Sequence, residues 1–370
     1  MDHKKIRVLH IDAEKGWRGG QQQAVYLFEA MLREGYDSVF ACKTESALHK
    51  YFKEKKLPHF TAAMRGEADL LSAFRIASFC RKHPINILHL HSAHSHSIGI
   101  AVKLFFPALK SVAVRRVDFR VGKNPLSRLK YRTGLVDRIV CISSEIKRVM
   151  IECGVAEEKL QVIRSGVDIH KFDGLTKNRE IYRDYHIPED HIVVGTVAAL
   201  AGHKDYPNLL RAARIVIDSK KAVTFVAVGS GSDIKEMKKL HGELGLGDRF
   251  IFAGYQKNVG SFLKLFDIFV LASKTEGLGT SLLDAQSIGL PIVATSAGGI
   301  PEVVGDDDSG LLVPPRDHTR LAEAILALID DESRRRKLGV NGLRSVREFD
   351  ITKTVERNID LYEELLREEV

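Results

Sequence analysis

Short apolar runs and amphipathic stretches alternate along this chain, and they do so twice. The first series places strands at residues 7–12, 38–41, 87–91, 112–116, 138–142 and 160–163, with helices at 21–33, 70–82 and 144–153 among them. The second places strands at 193–197, 224–228, 250–253, 268–272 and 292–295, with helices at 206–218, 235–244, 259–266 and 321–330. Runs too short for buried helices, regularly separated by helical-period segments, argue for parallel sheets covered by helices on both faces. A length of 370 residues exceeds what one hydrophobic core normally serves. The expected fold class is therefore α/β, with two doubly wound, Rossmann-like parallel-sheet domains and a ligand cleft between them. The expected division is a first domain at 1–170, a polar linker at 171–190, a second domain at 191–345, and a last helix within 346–370 that packs back on the first.

One loop carries the chemistry most clearly. Glu276-Gly277-Leu278-Gly279-Thr280-Ser281-Leu282-Leu283-Asp284 follows an apolar strand and opens into an apolar helix near 280–288, ended by Gly289-Leu290-Pro291. The motif thus sits at the carboxyl end of a strand, where open α/β sheets bind ligands. Glycine-freed amides at a helix start suit a phosphate. Ionised carboxylates only accept hydrogen bonds, so Glu276 and Asp284 suit sugar hydroxyls, which donate them. Phosphate and polyol together point to a nucleotide sugar.

Other turns fit the same ligand. Gly16-Trp17-Arg18-Gly19-Gly20 follows the first strand and starts a helix, and Gly19-Gly20 allows phosphate and backbone to approach closely. It is not G-x-G-x-x-G, so a dinucleotide fingerprint is poorly supported. Lys204 follows the first strand of the second series, a position suited to balancing a diphosphate leaving group. Gly229 in Val228-Gly229-Ser230-Gly231 either lines the nucleotide pocket or only shapes its turn. Glu302, just after Pro301, is accounted for by helix-start chemistry, with a ligand role as the alternative. His89, His91, His94 and His96 invite a metal, but no carboxylate or cysteine ligand lies nearby in sequence. A polar lining for sugar or phosphate, with His91 nearest the cleft, is the preferred reading, and no metal is expected.

Bulk properties exclude several classes. No run approaches the ~18 apolar residues of a membrane span. The start leads directly into a strand without a signal-peptide pattern. Cys42, Cys80, Cys141 and Cys153 are scattered and read as free thiols, so a cytoplasmic location is expected. Residues 1–190 hold 33 Lys and Arg against 22 Asp and Glu, whereas the rest hold 23 against 26. The excess, concentrated between Lys103 and Arg148, reads either as a solvated face or as attraction to an anionic acceptor or an acidic bilayer surface. Interleaved stacking aromatics are missing, so nucleic acid is not an expected partner.

Taken together, these residues resemble the retaining, nucleotide-sugar-dependent glycosyltransferases of family four, which have the GT-B fold. Glu276 to Asp284 resembles the family's E-x7-E element, Ser165-Gly166-Val167-Asp168 its interdomain linker, and Lys204 its diphosphate-binding lysine. Gly298 to Val304 with Ser309-Gly310-Leu311-Leu312-Val313-Pro314 resembles its carboxyl-terminal pattern.

The resemblance implies transfer of a sugar from a nucleoside diphosphate to a glycan or lipid-linked acceptor, without cofactor or obligatory metal. It implies that Glu276 and Lys204 act at the reaction centre. Gly19, Gly20, Gly229, Gly277, Leu278, Gly279, Thr280 and Asp284 would then bind the donor. Three departures are specific to this chain. Asp284 stands where the family has a glutamate that holds ribose. Ala198-Ala199-Leu200 stands where an arginine often precedes the lysine, which makes Arg18 a candidate replacement cation. Val114-Arg115-Arg116-Val117-Asp118 stands where many members have a histidine, so His91, Arg116 and Asp118 are the acceptor-side expectation. Other GT-B reactions, such as sugar-nucleotide epimerisation or phosphorolysis, and non-catalytic nucleotide-sugar binding are the alternatives.

Overall fold

Thirteen strands form two sheets in a computed structural model, which describes residues 6–117, 130–131, 133–220 and 222–367. The chain divides into two compact units, Met1–Val167 with Asp350–Val370, and Asp168–Phe349.

In the first unit the strands are β1 (Arg7–Asp12), β2 (Asp37–Lys43), β3 (His59–Ala62), β4 (Ile87–Leu90), β5 (Lys110–Arg115), β6 (Arg138–Cys141) and β7 (Leu160–Val162). They pair in the order β3-β2-β1-β4-β5-β6-β7, every pair parallel. The described helices are α1 (Gly19–Arg33), α2 (Ala47–Lys55), α3 (Leu70–Lys82), α4 (Ala93–Phe105) and α5 (Ser144–Glu152). The order reverses between β1 and β4. That is the topological switch point, where loops on either side diverge and leave a crevice.

The second unit repeats the plan. Its strands are β8 (Ile192–Val197), β9 (Val223–Val228), β10 (Phe250–Gly254), β11 (Ile268–Leu271), β12 (Ile292–Thr295) and β13 (Gly310–Val313), ordered β10-β9-β8-β11-β12-β13 and again parallel. The helices are α6 (Arg179–Asp184), α7 (Tyr206–Ser219), α8 (Ile234–Glu243), α9 (Val259–Leu263), α10 (Thr280–Gln286), α11 (His318–Asp330) and α12 (Glu332–Ser345). The switch point falls between β8 and β11, so the loops carrying Lys204 and Glu276 leave adjacent strands.

Central strands are buried on both faces, and β4, β9, β11 and β12 are buried throughout, as parallel sheets require. Strands β3 and β13 escape the sequence reading. His59-Phe60-Thr61-Ala62 is only partly buried on a sheet edge and has no strong apolar signature. Gly310-Leu311-Leu312-Val313 resembles a family motif without showing that it is a strand.

Residues 171–190 contain α6 and belong to the second unit. The last helix, α13 (Ile351–Arg367), belongs to the first. It packs against α1, and its Tyr362 is fully buried. Gly166 fits only because it has no side chain; a Cβ there would lie 2.8 Å from the Ile351 Cα and 2.5 Å from the Thr354 hydroxyl.

Candidate active site

In the second unit, Lys204 and Glu276 come together. Lys204 closes a 3-10 turn after β8, and Glu276 lies in the loop after β11. The ammonium of Lys204 bonds Glu276 Oε2, and both side chains are about 15% exposed, at 15% and 14%. The Ser273 hydroxyl donates to the same oxygen at 3.2 Å.

The loop is tied down from both neighbours. Lys274 N donates to His203 O at 2.7 Å, Gly299 N to Glu276 O at 2.9 Å, and the Thr295 hydroxyl to Ser273 O at 2.7 Å. The Gly298-Gly299 turn therefore braces Glu276 through its backbone. Leu278 is buried, so its side chain anchors the turn. Gly277 and Gly279 are buried with it, while Thr280 is half-buried. Gly279 is the N-cap of α10 at φ +84°, a left-handed conformation that a Cβ disfavours.

Asp284 lies one turn into α10, half-buried, with Lys171 Nζ 3.4 Å from its Oδ1. Burial raises its pKa, and the Lys171 ammonium opposes that rise. Lys171 also sits 4.5 Å over the Phe172 ring. Its partnership with Asp284 was invisible in sequence because 113 residues separate the two. Gly229 adopts φ +146°, and a Cβ there would fall 2.0 Å from the Ala198 carbonyl oxygen. Close packing of two strand ends accounts for this glycine.

The first unit assembles its own cluster at the β1/β4 switch point. Gly19 and Gly20 begin α1, with the exposed Arg18 as its N-cap. The turn hangs on Asp12, a buried carboxylate that accepts from Glu14 N at 2.8 Å and from Gln21 Nε2 at 2.9 Å. Burial raises the Asp12 pKa. Arg116, from the end of β5, packs under Gly20, where a Cβ would meet its Cδ at 3.5 Å. Its guanidinium reaches Ser165 Oγ at 3.3 Å and His91 Nδ1 at 3.1 Å. Burial lowers its pKa to about 10. Asp118 lies outside the described residues.

Arginine can only donate, so His91 Nδ1 must be the bare nitrogen. His91 then carries its proton on Nε2 and donates it to His10 Nδ1 at 2.9 Å. Arg116 thus sets the tautomers of a buried stack. His10, His89 and His91 lie with centroids 4.3–5.4 Å apart and ring planes within 27° of parallel, and the Tyr362 hydroxyl bonds His89 Nδ1. β4 ends at Leu90, yet His91 N still bonds Ile11 O, so both histidines face the same side.

The histidine run therefore splits. His89 and His91 are internal, His96 is buried edge-on against Tyr131, and His94 reaches the surface beside Glu14 at 3.3 Å. His10, His89 and His91 each bring a ring nitrogen within 4.8 Å of the others. Both ring nitrogens of His91 are already engaged, Nδ1 by the Arg116 guanidinium and Nε2 by His10 Nδ1. A cationic Arg116 against His91 further opposes a metal.

Cations in the basic segment are also largely engaged. Lys103 is buried against Asp137 at 2.7 Å, Lys130 bonds Ser97 Oγ at 3.1 Å, and Arg115 bonds the Tyr131 hydroxyl at 3.1 Å. Among the described residues, these belong to the fold rather than to a solvated face.

Comparison with known proteins gives the family. Residues 17–171 match Glycosyltransferase Family 4, and residues 177–345 match Glycosyl transferases group 1. The chain belongs to the family-four glycosyltransferases. It is 26% identical, over 97% of both chains, to the UDP-Gal:alpha-D-GlcNAc-diphosphoundecaprenol alpha-1,3-galactosyltransferase of Escherichia coli. It is 27% identical to the N-acetyl-alpha-D-glucosaminyl L-malate synthase of Bacillus anthracis, over 86% of this chain and 85% of that one. Among solved structures, Anabaena Alr3699/HepE in complex with UDP and glucose superposes with TM-score 0.83 at 18% identity, covering 97% of this chain and 99% of that one. A Rickettsia africae glycosyltransferase gives 0.84 at 18%, covering 98% and 99%. The fold of this glycosyltransferase is GT-B.

Proposed function

We propose that this glycosyltransferase moves a sugar from a nucleoside diphosphate to a glycan or lipid-linked acceptor, with retained anomeric configuration, in cell-envelope polysaccharide or lipopolysaccharide synthesis. The observation that carries the reading is the Lys204–Glu276 pair at the switch point of the second sheet. When a donor binds, the pair opens. The ammonium turns to the diphosphate and the carboxylate accepts from sugar hydroxyls. The bond from the anomeric carbon to the diphosphate oxygen breaks while the acceptor oxygen bonds that carbon from the same face. The acceptor's proton passes to the leaving diphosphate. Lys204 offsets the charge that grows on that group.

The backbone of Gly277 to Thr280 holds phosphate oxygens, and Asp284 holds ribose together with Lys171. Arg18 is the candidate cation in place of the arginine missing near Ala199, and Arg116 stays on the acceptor side. The galactosyltransferase of E. coli is named for a diphosphoundecaprenol acceptor. That name favours an acceptor at a membrane surface. No described helix is long and apolar enough to cross a membrane.

The test is release of free nucleoside diphosphate from a panel of UDP- and GDP-sugars, with undecaprenyl-diphosphate-linked and lipopolysaccharide-core acceptors. Nuclear magnetic resonance of the product reads the anomeric configuration. EDTA is expected to leave the rate unchanged, because the charge on the leaving group is met by lysine and backbone. Loss of activity on chelation, with recovery on adding a divalent ion, would overturn the metal-free reading.

A second outcome is expected of Arg116→Ala. The acceptor KM rises roughly 10-fold or more, in line with loss of a buried charge-assisted contact, while donor affinity in the absence of acceptor is unchanged. If UDP affinity falls instead, Arg116 is the missing diphosphate cation.

A further inference from the structure

The first unit exposes an apolar face that the reaction does not use. Leu70, Leu71 and Phe74 on α3 are 56%, 71% and 50% exposed, and Leu104 on α4 is 63% exposed. These are half of the eight large hydrophobic side chains left exposed among the described residues.

The four residues belong to two helices packed on each other. Leu70, Leu71 and Phe74 share one side of α3, since side chains three and four apart are neighbours. The opposite side, with Ser72, Ala73, Ile76, Ala77 and Cys80, fills the core. Phe74 extends the patch onto α4 by an edge contact with Phe105, ring centroids 5.7 Å apart. Apolar side chains concentrated in this way mark an interaction surface, whereas scattered ones do not.

Charge identifies the partner. From Leu70 to Val117 the chain holds seven Lys and Arg and no Asp or Glu. Three of the cations, Arg75, Arg81 and Lys82, are exposed on α3 beside the apolar residues. Arg81 lies 5.2 Å over the Phe106 ring and bonds the Phe105 carbonyl, which fixes a cation at the patch margin. The nearest carboxylates in sequence are engaged. Asp69 caps α3 through Ser72 N at 2.9 Å, and Glu67 accepts from Ser97 at 2.8 Å. Protruding apolar side chains with a predominantly cationic surround match an anionic bilayer, which offers phosphate outside and hydrocarbon beneath. A second copy of this chain fits poorly, because a two-fold contact would set this cationic face against itself.

We propose that the α3–α4 face docks the enzyme on an anionic lipid surface, with Leu70, Leu71, Phe74 and Leu104 inserted and Arg75, Arg81 and Lys82 on headgroup phosphates. The inference deepens the membrane-side part of the proposed function.

Its test is sedimentation of the full chain with phosphatidylcholine vesicles, with and without phosphatidylglycerol. The wild type binds only the anionic vesicles, and added salt weakens binding. Leu71→Ser/Phe74→Ser/Leu104→Ser and Arg75→Gln/Lys82→Gln each weaken it about tenfold or more. The single change Leu71→Ser, at the most exposed position, keeps the test valid if the triple variant fails to fold. Binding by the wild type that ignores phosphatidylglycerol, or variants that bind like wild type, would overturn the proposal. So would a dimer that the same substitutions dissolve. Transfer to a water-soluble acceptor is measured in parallel. If it persists without vesicle binding, docking fails and the transferase reading stands; if the wild type transfers nothing, that reading fails on its own.

Discussion

Glu276→Ala and Lys204→Ala are each expected to lower turnover by about 100- to 1000-fold, the range found when a positioned group facing transition-state charge is removed. The two losses differ in kind. Lys204→Ala leaves the diphosphate's growing charge unmet, so kcat falls more than donor affinity. Glu276→Ala removes an acceptor for sugar hydroxyls, so discrimination among donor sugars falls with the rate.

Each group is also the other's partner when no donor is bound. Their losses are therefore not additive, and the double variant is expected to be little worse than the worse single one. Glu276→Gln keeps the hydroxyl-accepting oxygen and recovers part of the loss. The measurements are kcat, KM for the donor, and the unfolding temperature of each variant. Retained turnover in both single variants would remove the basis for the assigned reaction centre.

Stability is expected to fall steeply when pH drops from 7 to 5. Four buried histidines stay neutral in the native chain. Burial lowers His10 and His96 to about 3 and carries His89 and His91 well below their ordinary 6.5. The unfolded chain binds these protons near pH 6.5, and the folded chain does not. Their stabilising contribution is thus fully present above about 6.5 and is lost as pH falls toward the folded values. Each histidine contributes up to about 1.4 kcal/mol per pH unit below that point, roughly 2 kcal/mol between pH 7 and 5. Four together come to about 8 kcal/mol, comparable to the ~5–15 kcal/mol stability of a typical protein.

Asp12 and Asp284, whose pKa values are raised, act in the opposite direction. The folded chain protonates them at a higher pH than the unfolded chain does, so they offset part of the histidine loss as pH falls. Unfolding temperature against pH is the measurement. His96→Phe, which removes one imidazole packed on Tyr131, is expected to flatten the slope by about a quarter. A flat profile between pH 7 and 5 would contradict neutral burial of the stack.

Much of this molecule is legible in the chain itself. Doubled alternation of short apolar runs with helical periods leads to two parallel sheets, because a strand buried on both faces has no other composition. The spacing of Glu276 and Asp284 around Gly277 and Gly279 locates a tight turn at a strand end, because φ +84° at Gly279 needs glycine. Local backbone chemistry is written in local sequence.

What joins residues far apart is not. Lys171 meets Asp284 across 113 positions and Tyr362 meets His89 across 273. No period or motif links such partners. Strand order alone set Lys204 beside Glu276, by placing β8 next to β11. Burial decided the histidines: from sequence they offered metal, ligand or core, and stacking beside Arg116 made two of them a neutral support for the cation. It also exposed the apolar side of α3 and α4, which the spacing of Leu70, Leu71, Phe74 and Leu104 does not separate from core. Sequence fixes what each segment is able to form, whereas the free energy of a buried charge or an exposed leucine depends on what the whole fold puts next to it.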